Sequence, residues 1–366
     1  MPTANEASNM PAPKTEGVVA ITGYLNILFK IQAQFSDAKK FLDQDFLKAL
    51  DTDAYLAKLQ AIDSGGFSHE MVGGIYGREQ LDVKKVLFRK QGYLGIAHLL
   101  QRHKTWQAED ILFDSLAGNG IFDRLMQQLF QVRPRYVGND VSMPMVKQAH
   151  SDNRLVFYSD LRMPIVRHSI ADYGVSAYGT QHIPPPERLS FLSVAGKRVK
   201  PGGTFVVQDF IEGSATARWY SECIDQFHSH GHALSHFKKG ELASLLSMAG
   251  FTDVSEHLIY DPFVMEVDGG INEKNARGIF YRYLIKLFAL DRLQGLVEAE
   301  PLALATLDNL FLPYFCLNAA ELKAVQQDPL LPEDLVEAVL NIKCINGVRY
   351  LIAPRVAVAV AGTRSA

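Results

Sequence analysis

Between Asp110 and Val207, short apolar runs alternate with amphipathic stretches of about ten residues, which leaves few folds open to the chain. Ile111–Phe113, Arg135–Val137, Leu155–Tyr158, Tyr173–Tyr178 and Thr204–Val207 read as strands. Phe122–Phe130, Met143–His150 and Pro186–Val199 read as the helices between them, and Pro201-Gly202-Gly203 as the turn into the last strand. Strands joined through helices lie parallel, with right-handed crossovers, so a doubly wound α/β sheet is expected.

The flanks have a different rhythm. From Val18 to about Gln107 apolar residues recur at helical spacing, as in Leu25, Leu28, Phe29 and Phe41, Leu42, Phe46, Leu47, Leu50. Asp37 and Asp51 are candidate N-caps, and Gly65-Gly66 and Gly73-Gly74 divide the run into several helices. Past the sheet, Lys238–Ala249 reads as a helix closed by Gly250, and Phe251–Val267 as a long strand or a bent pair. Ile271–Val339 is helical in pattern, and Val356–Val360 suits a buried strand of the central sheet. The expected division is a polar tail over 1–16, a helical lid or dimerisation region over 17–107, a core over 108–267, a helical insertion over 268–346 and a final strand over 347–366.

Composition narrows the function classes. An apolar fraction of 48% and a charged fraction of 21% are those of an ordinary globular protein, and a net charge of -3 offers no general attraction to nucleic acid. The three cysteines, Cys223, Cys316 and Cys344, are far apart, which argues against a disulfide framework or a thiolate zinc site. The first sixteen residues have no basic segment ahead of an apolar one, and Gly17–Phe29 is too short to span a bilayer. A cytoplasmic protein with no membrane or nucleic-acid partner is expected.

The chemistry concentrates in Ile111-Leu112-Phe113-Asp114-Ser115-Leu116-Ala117-Gly118-Asn119-Gly120-Ile121-Phe122. An apolar strand ends in an acid, a small-residue turn follows, and a helix start supplies free N–H donors. The third glycine of a dinucleotide fingerprint would fall at Asp123, which disfavours a pyrophosphate there. The next strand ends in Asp140, twenty positions after Gly120, where a carboxylate can accept from a ribose diol. The strand after that ends in Asp160. Each of the three acids could equally cap a helix.

Taken in order, Asp114-x-x-x-Gly118-x-Gly120, Val137-Gly138-x-Asp140-x-Ser142, Asp160-Leu161 and Lys200-Pro201-Gly202-Gly203 resemble the successive motifs of class I S-adenosylmethionine-dependent methyltransferases, over roughly residues 108 to 265. The resemblance implies a Rossmann-like sheet of seven strands, the last one antiparallel, with Val356–Val360 as that strand. It implies S-adenosylmethionine as cofactor and S-adenosylhomocysteine as product. Ala117, Gly118, Asn119 and Gly120 would pass under the methionine part, with Asp114 near its ammonium group. Asp140, with Val141 beside it, would bind the ribose hydroxyls, Asp160 the adenine amino group, Leu161 the ring, and Tyr178 would border the cofactor.

For the acceptor, His182 follows the fourth strand, and His228, His230, His232 and His236 fall within nine positions after the fifth. His182, His232 and His236 are the candidate proton-transfer groups, although core or solvated histidines would give the same pattern. Metal binding has no supporting spacing. Arg162, Trp219, Tyr220 and His228 are candidate acceptor contacts. The reading that follows is methyl transfer to a small-molecule oxygen, nitrogen or carbon, in secondary metabolism, by a chain whose helical ends close the site and could form a homodimer. A nicotinamide-dependent oxidoreductase and a non-catalytic, methyltransferase-like binding protein are the alternatives.

Overall fold

The computed structural model describes residues 23–63, 89–228, 235–295 and 302–366. Its strands are β1 Ile111–Asp114, β2 Arg135–Asp140, β3 Val156–Tyr158, β4 Ala171–Ala177, β5 Val199–Asp209, β6 Phe251–Tyr260, β7 Phe263–Val267, β8 Asn341–Ile345, β9 Val348–Ala353 and β10 Val356–Arg364. Seven of them form one sheet in the order β3-β2-β1-β4-β5-β10-β6. β10 runs antiparallel to both neighbours and the remaining pairings are parallel. This is the doubly wound, Rossmann-like sheet expected, with the C-terminal run as its antiparallel strand. The order reverses between β1 and β4, so the loops at their carboxyl ends part and leave a crevice there.

The helices used below are α1 Tyr24–Gln34, α2 Thr52–Asp63, α3 Lys90–Leu100, α4 Ile121–Leu129, α5 Met143–Ser151, α6 Arg188–Gly196, α7 Glu241–Met248, α8 Glu273–Leu287 and α9 Leu302–Phe311. α3 and α4 cover one face, where Tyr93, Ile96, Leu100, Leu125 and Met126 pack on Leu112, Val175, Val206 and Ala359. Each such side chain, fully buried, contributes about 1.5–3 kcal/mol. α6 and α7 cover the other face through Phe191, Leu192, Leu242 and Leu246 on Phe205, Val207 and Val360. At the β3 edge, Tyr24, Leu28, Tyr55 and Leu59 of α1 and α2 pack with Val156, Phe157 and Tyr158.

Several details differ from the sequence expectation. β5 begins at Val199 rather than Thr204, because the register against β4 shifts between Ala171 and Tyr173 and absorbs the Pro201–Gly203 segment into the strand. Asp51 does cap α2, accepting from the Ala54 amide at 3.0 Å. Asp37 does not cap a helix, since its carboxylate pairs with Lys40 and Arg135; Asp43 caps the next turn instead. Gly65-Gly66 and Gly73-Gly74 lie outside the described residues.

The segment expected to be wholly helical also contains a strand. β8 pairs with β9, and β9 with β7, in a separate antiparallel sheet. β6 and β10, paired in the main sheet, thus continue as β7 and β9, paired in the small one. At this double crossover the Asp261 amide donates to the Arg355 carbonyl at 2.9 Å, and Arg355 Nε donates to the Asp261 carbonyl at 3.0 Å. The two side chains form an ion pair at 2.6 Å, both 0% exposed, with the Arg355 guanidinium 3.9 Å from the centre of the Phe263 ring. α8 and α9 then enclose an aromatic core with Trp219, Phe280, Tyr281, Phe311 and Phe315.

Candidate active site

The crevice between β1 and β4 is bordered by the glycine turn. Gly118 and Gly120 have φ of 54° and 73°, the left-handed region where a side chain is strained. At Gly118 a Cβ would meet nothing within 4 Å, so the turn borders open space. The turn is tied to β2 by the Ala117 amide, which donates to the Asn139 carbonyl at 3.1 Å. It is tied more tightly by Asp140, whose Oδ2 accepts from the Gly118 amide at 2.8 Å while Oδ1 accepts from the Ser142 amide at 2.8 Å. Asp140 is half-buried.

Asp114 sits deeper. Its carboxyl accepts from Tyr136 Oη at 2.9 Å and from the Leu116 amide at 3.2 Å. Burial pushes its pKa up to about 7, against the opposing effect of those two donors. Asp123, at the third-glycine position, is engaged structurally: Arg133 lies 3.0 Å away, Arg154 3.6 Å, and Gln127 donates at 2.8 Å. That arrangement leaves no glycine-lined approach for a pyrophosphate at the start of α4.

Asp160 is 1% exposed, and its carboxylate pairs with Lys58 at 2.8 Å and Arg162 at 3.1 Å. The Asp160 amide donates to Tyr55 Oη at 2.9 Å. Those contacts, notably the lysine and arginine hydrogen bonds, hold its pKa below the usual carboxylate range although burial works the other way. Asp160 thereby ties α2 to the end of β3. Arg162 pairs with Asp160 and with Glu187 at 3.0 Å. Leu161 is half-buried against the Phe191–Leu246 cluster and Val141 against the Phe113–Val156 one, of which Ala117 is a buried member.

The loop after β4 is clamped from β5. The Tyr178 amide donates to Gln208 Oε1 at 3.0 Å; Asp209 accepts from Thr180 Oγ1, from the Gln181 amide at 2.7 Å and from the Phe210 amide at 2.7 Å. Burial raises the Asp209 pKa to about 6. Gln208 and Asp209 escaped the sequence reading, although an acid at the end of β5 repeats the pattern of Asp114 and Asp140. His182 lies exposed on this loop. Tyr178 does not simply border the crevice, because its ring packs beneath α3, 4.9 Å from Tyr93 and 6.3 Å from Phe210.

Of the histidine-rich stretch, His232 lies outside the described residues. His228 is buried, and its amide donates to the Ile224 carbonyl at 2.9 Å. His236 is half-buried against Tyr220, with ring centres 5.9 Å apart, and Tyr220 stacks on Phe210 at 5.3 Å. Burial, then the nearby Arg188 charge, lowers the His236 pKa, so its imidazole is neutral at pH 7. Trp219 is not at the crevice. It is 0% exposed, 5.0 Å from Phe311 and 5.8 Å from Phe288 in the aromatic core. Among the described residues no group of His, Cys, Asp and Glu could hold a metal ion, and no helix is long and apolar enough to cross a membrane.

No family model matches the chain, and no curated protein matches it. Solved structures resemble it distantly. YcgJ from Bacillus subtilis is 11% identical, with a TM-score of 0.43 over 75% of this chain and 99% of that one. Phosphoethanolamine N-methyltransferase 2 of Haemonchus contortus, in complex with S-adenosylmethionine, is 14% identical, with a TM-score of 0.41 over 75% and 52%. The 1,6-didemethyltoxoflavin-N1-methyltransferase of Burkholderia thailandensis is 17% identical, with a TM-score of 0.36 over 46% and 72%. The fold itself is established by the strand order.

Proposed function

We propose that this chain is a methyltransferase that binds S-adenosylmethionine along the carboxyl edge of β1 and β2 and methylates a small molecule. The observation that carries the reading is the half-buried Asp140 carboxylate, which holds the Gly118 amide beside the open space of the turn. The cofactor, when bound, supplies an electrophilic methyl group whose transfer needs chiefly an in-line nucleophile and exclusion of competing geometry.

The residues divide the work. Asp140, which holds the Gly118 and Ser142 amides, would accept from a pair of vicinal hydroxyls. Gly118, Asn119 and Gly120 present backbone, and the start of α4 presents N–H donors. Asp114 would lie near the ammonium group. Gln208 and Asp209 hold the Tyr178–Ile183 loop where an acceptor would approach, and neutral His236 is able to take a proton from it. Helices α1 to α3 on one side of the core and α8 and α9 on the other would act as covers, and they are also where a homodimer would form. Incubation with methyl-labelled S-adenosylmethionine and a panel of phenols, amines and keto acids should yield a labelled product by mass spectrometry. Nicotinamide-dependent turnover with no label transfer would overturn the reading in favour of an oxidoreductase.

The Asp114 pKa gives a pH signature. Because the folded value is raised, the folded apoprotein keeps a proton that the unfolded chain releases. The resulting stability is present in acid and is lost as the pH rises through about 7. An ammonium group beside Asp114 requires the carboxylate, so ligand binding must displace that proton below this pH. Affinity for S-adenosylhomocysteine is expected to climb with pH up to about 7, with a limiting slope of about tenfold per pH unit, and then level off. Calorimetry should give a flat profile for Asp114→Asn; a wild-type profile equally flat would contradict the placement.

A further inference from the structure

One turn of α3 touches the candidate site at two points. The Tyr93 ring stacks on Phe122, in the first turn of α4, at 5.1 Å and 18°. One residue earlier, Gly92 lies directly on the Tyr178 hydroxyl. A Cβ at that position would sit 2.0 Å from Tyr178 Oη and 2.6 Å from Asp261 Oδ1, so only glycine fits. Tyr178, the first residue after β4, has φ of 58°, a left-handed backbone uncommon for a bulky side chain. Such strain persists where the surroundings over-determine it. Here they do so through the Gln208 hydrogen bond at 3.0 Å, the Arg89 guanidinium 3.8 Å from the centre of the Tyr178 ring, and the contacts with Tyr93 and Phe210. The next residue, Gly179, faces the glycine turn across about one methyl group's width, since a Cβ on it would lie 3.5 Å from the Leu116 side chain.

We infer that Tyr178 is a positioning residue through which α3 sets the cofactor turn: close approach at Gly92 seats the Tyr178 hydroxyl, and the strained backbone of Tyr178 then places Gly179 opposite Leu116 of the turn. The inference rests on the cofactor reading above. It makes the N-terminal helix a determinant of cofactor affinity, although the main cofactor contacts belong to the sheet loops.

Calorimetric titration with S-adenosylhomocysteine of the full chain and three variants tests it. In a helix interior alanine is intrinsically more favourable than glycine, so helix propensity predicts no loss from Gly92→Ala. The inference predicts at least about tenfold weaker binding, because the new methyl group displaces the hydroxyl. Tyr178→Phe alone should weaken binding about threefold, and the double variant should lose clearly less than the two losses added, because the hydroxyl clash is gone and only the contact with Asp261 remains. Additive losses, or Gly92→Ala binding as tightly as the wild type, would overturn the coupling. Should Gly92→Ala not fold, Tyr178→Gly replaces it: a single cooperative melt with about tenfold weaker binding is expected, and unchanged affinity overturns the inference. A wild-type chain that does not bind S-adenosylhomocysteine would instead sink the cofactor reading.

Discussion

Asp140→Ala is expected to weaken S-adenosylhomocysteine binding by on the order of 10²- to 10³-fold, about 3–4 kcal/mol. Two losses combine. The carboxylate no longer receives the ribose hydroxyls, and charge-assisted hydrogen bonds of that kind contribute about 1.5–3 kcal/mol each. The variant also releases the Gly118 and Ser142 amides, each now held at 2.8 Å, so the turn loses its preformed geometry. Asp140→Asn keeps one carbonyl acceptor and the side-chain volume and should fall between the two. Titration calorimetry reads all three, with the melting transition as a check on folding. Affinity of the alanine variant within about threefold of wild type would remove Asp140 from the site.

Arg355→Met should cost about 3–5 kcal/mol of stability at neutral pH, because it leaves the Asp261 carboxylate buried without its closest cation. Asp261 already has a raised pKa from burial, opposed by Arg355 and then by Arg89. Removing Arg355 raises it further. A raised carboxyl pKa favours the folded state in acid, and that benefit is lost as the pH rises through the folded value. The deficit of Arg355→Met should therefore be small in acid and full at neutral pH. Adding Asp261→Asn should restore most of the stability, since an amide carries no charge to desolvate. Denaturant titrations across pH measure this directly; a deficit below about 1 kcal/mol at neutral pH would mean that water reaches the pair.

The reading from sequence succeeded where local pattern and tertiary role coincide. Ile111–Asp114 followed by Gly118 and Gly120 is a strand-turn-helix unit whose geometry is set by neighbouring residues, so its place at the crevice was legible. The same holds for Val356–Val360, whose unbroken apolar run suits a strand buried on both faces. It failed where the deciding partner is remote. The ion pair of Asp160 was not legible, because Lys58 lies 102 residues earlier. Trp219 looked like a pocket wall, yet its neighbours Phe288 and Phe311 come from a segment with no visible link to it. The crossover at Asp261 and Arg355 was hidden because each residue alone reads as a loop charge next to a proline. Tyr178 could not be foreseen as strained, since its φ is imposed by Gln208, Arg89 and the bare surface of Gly92.

The account stands most directly on one titration. Wild-type protein at about pH 8, where Asp114 is ionised, should bind S-adenosylhomocysteine at one site per chain with micromolar or tighter affinity, and NADH far more weakly. Binding of NADH with no detectable S-adenosylhomocysteine complex would contradict it.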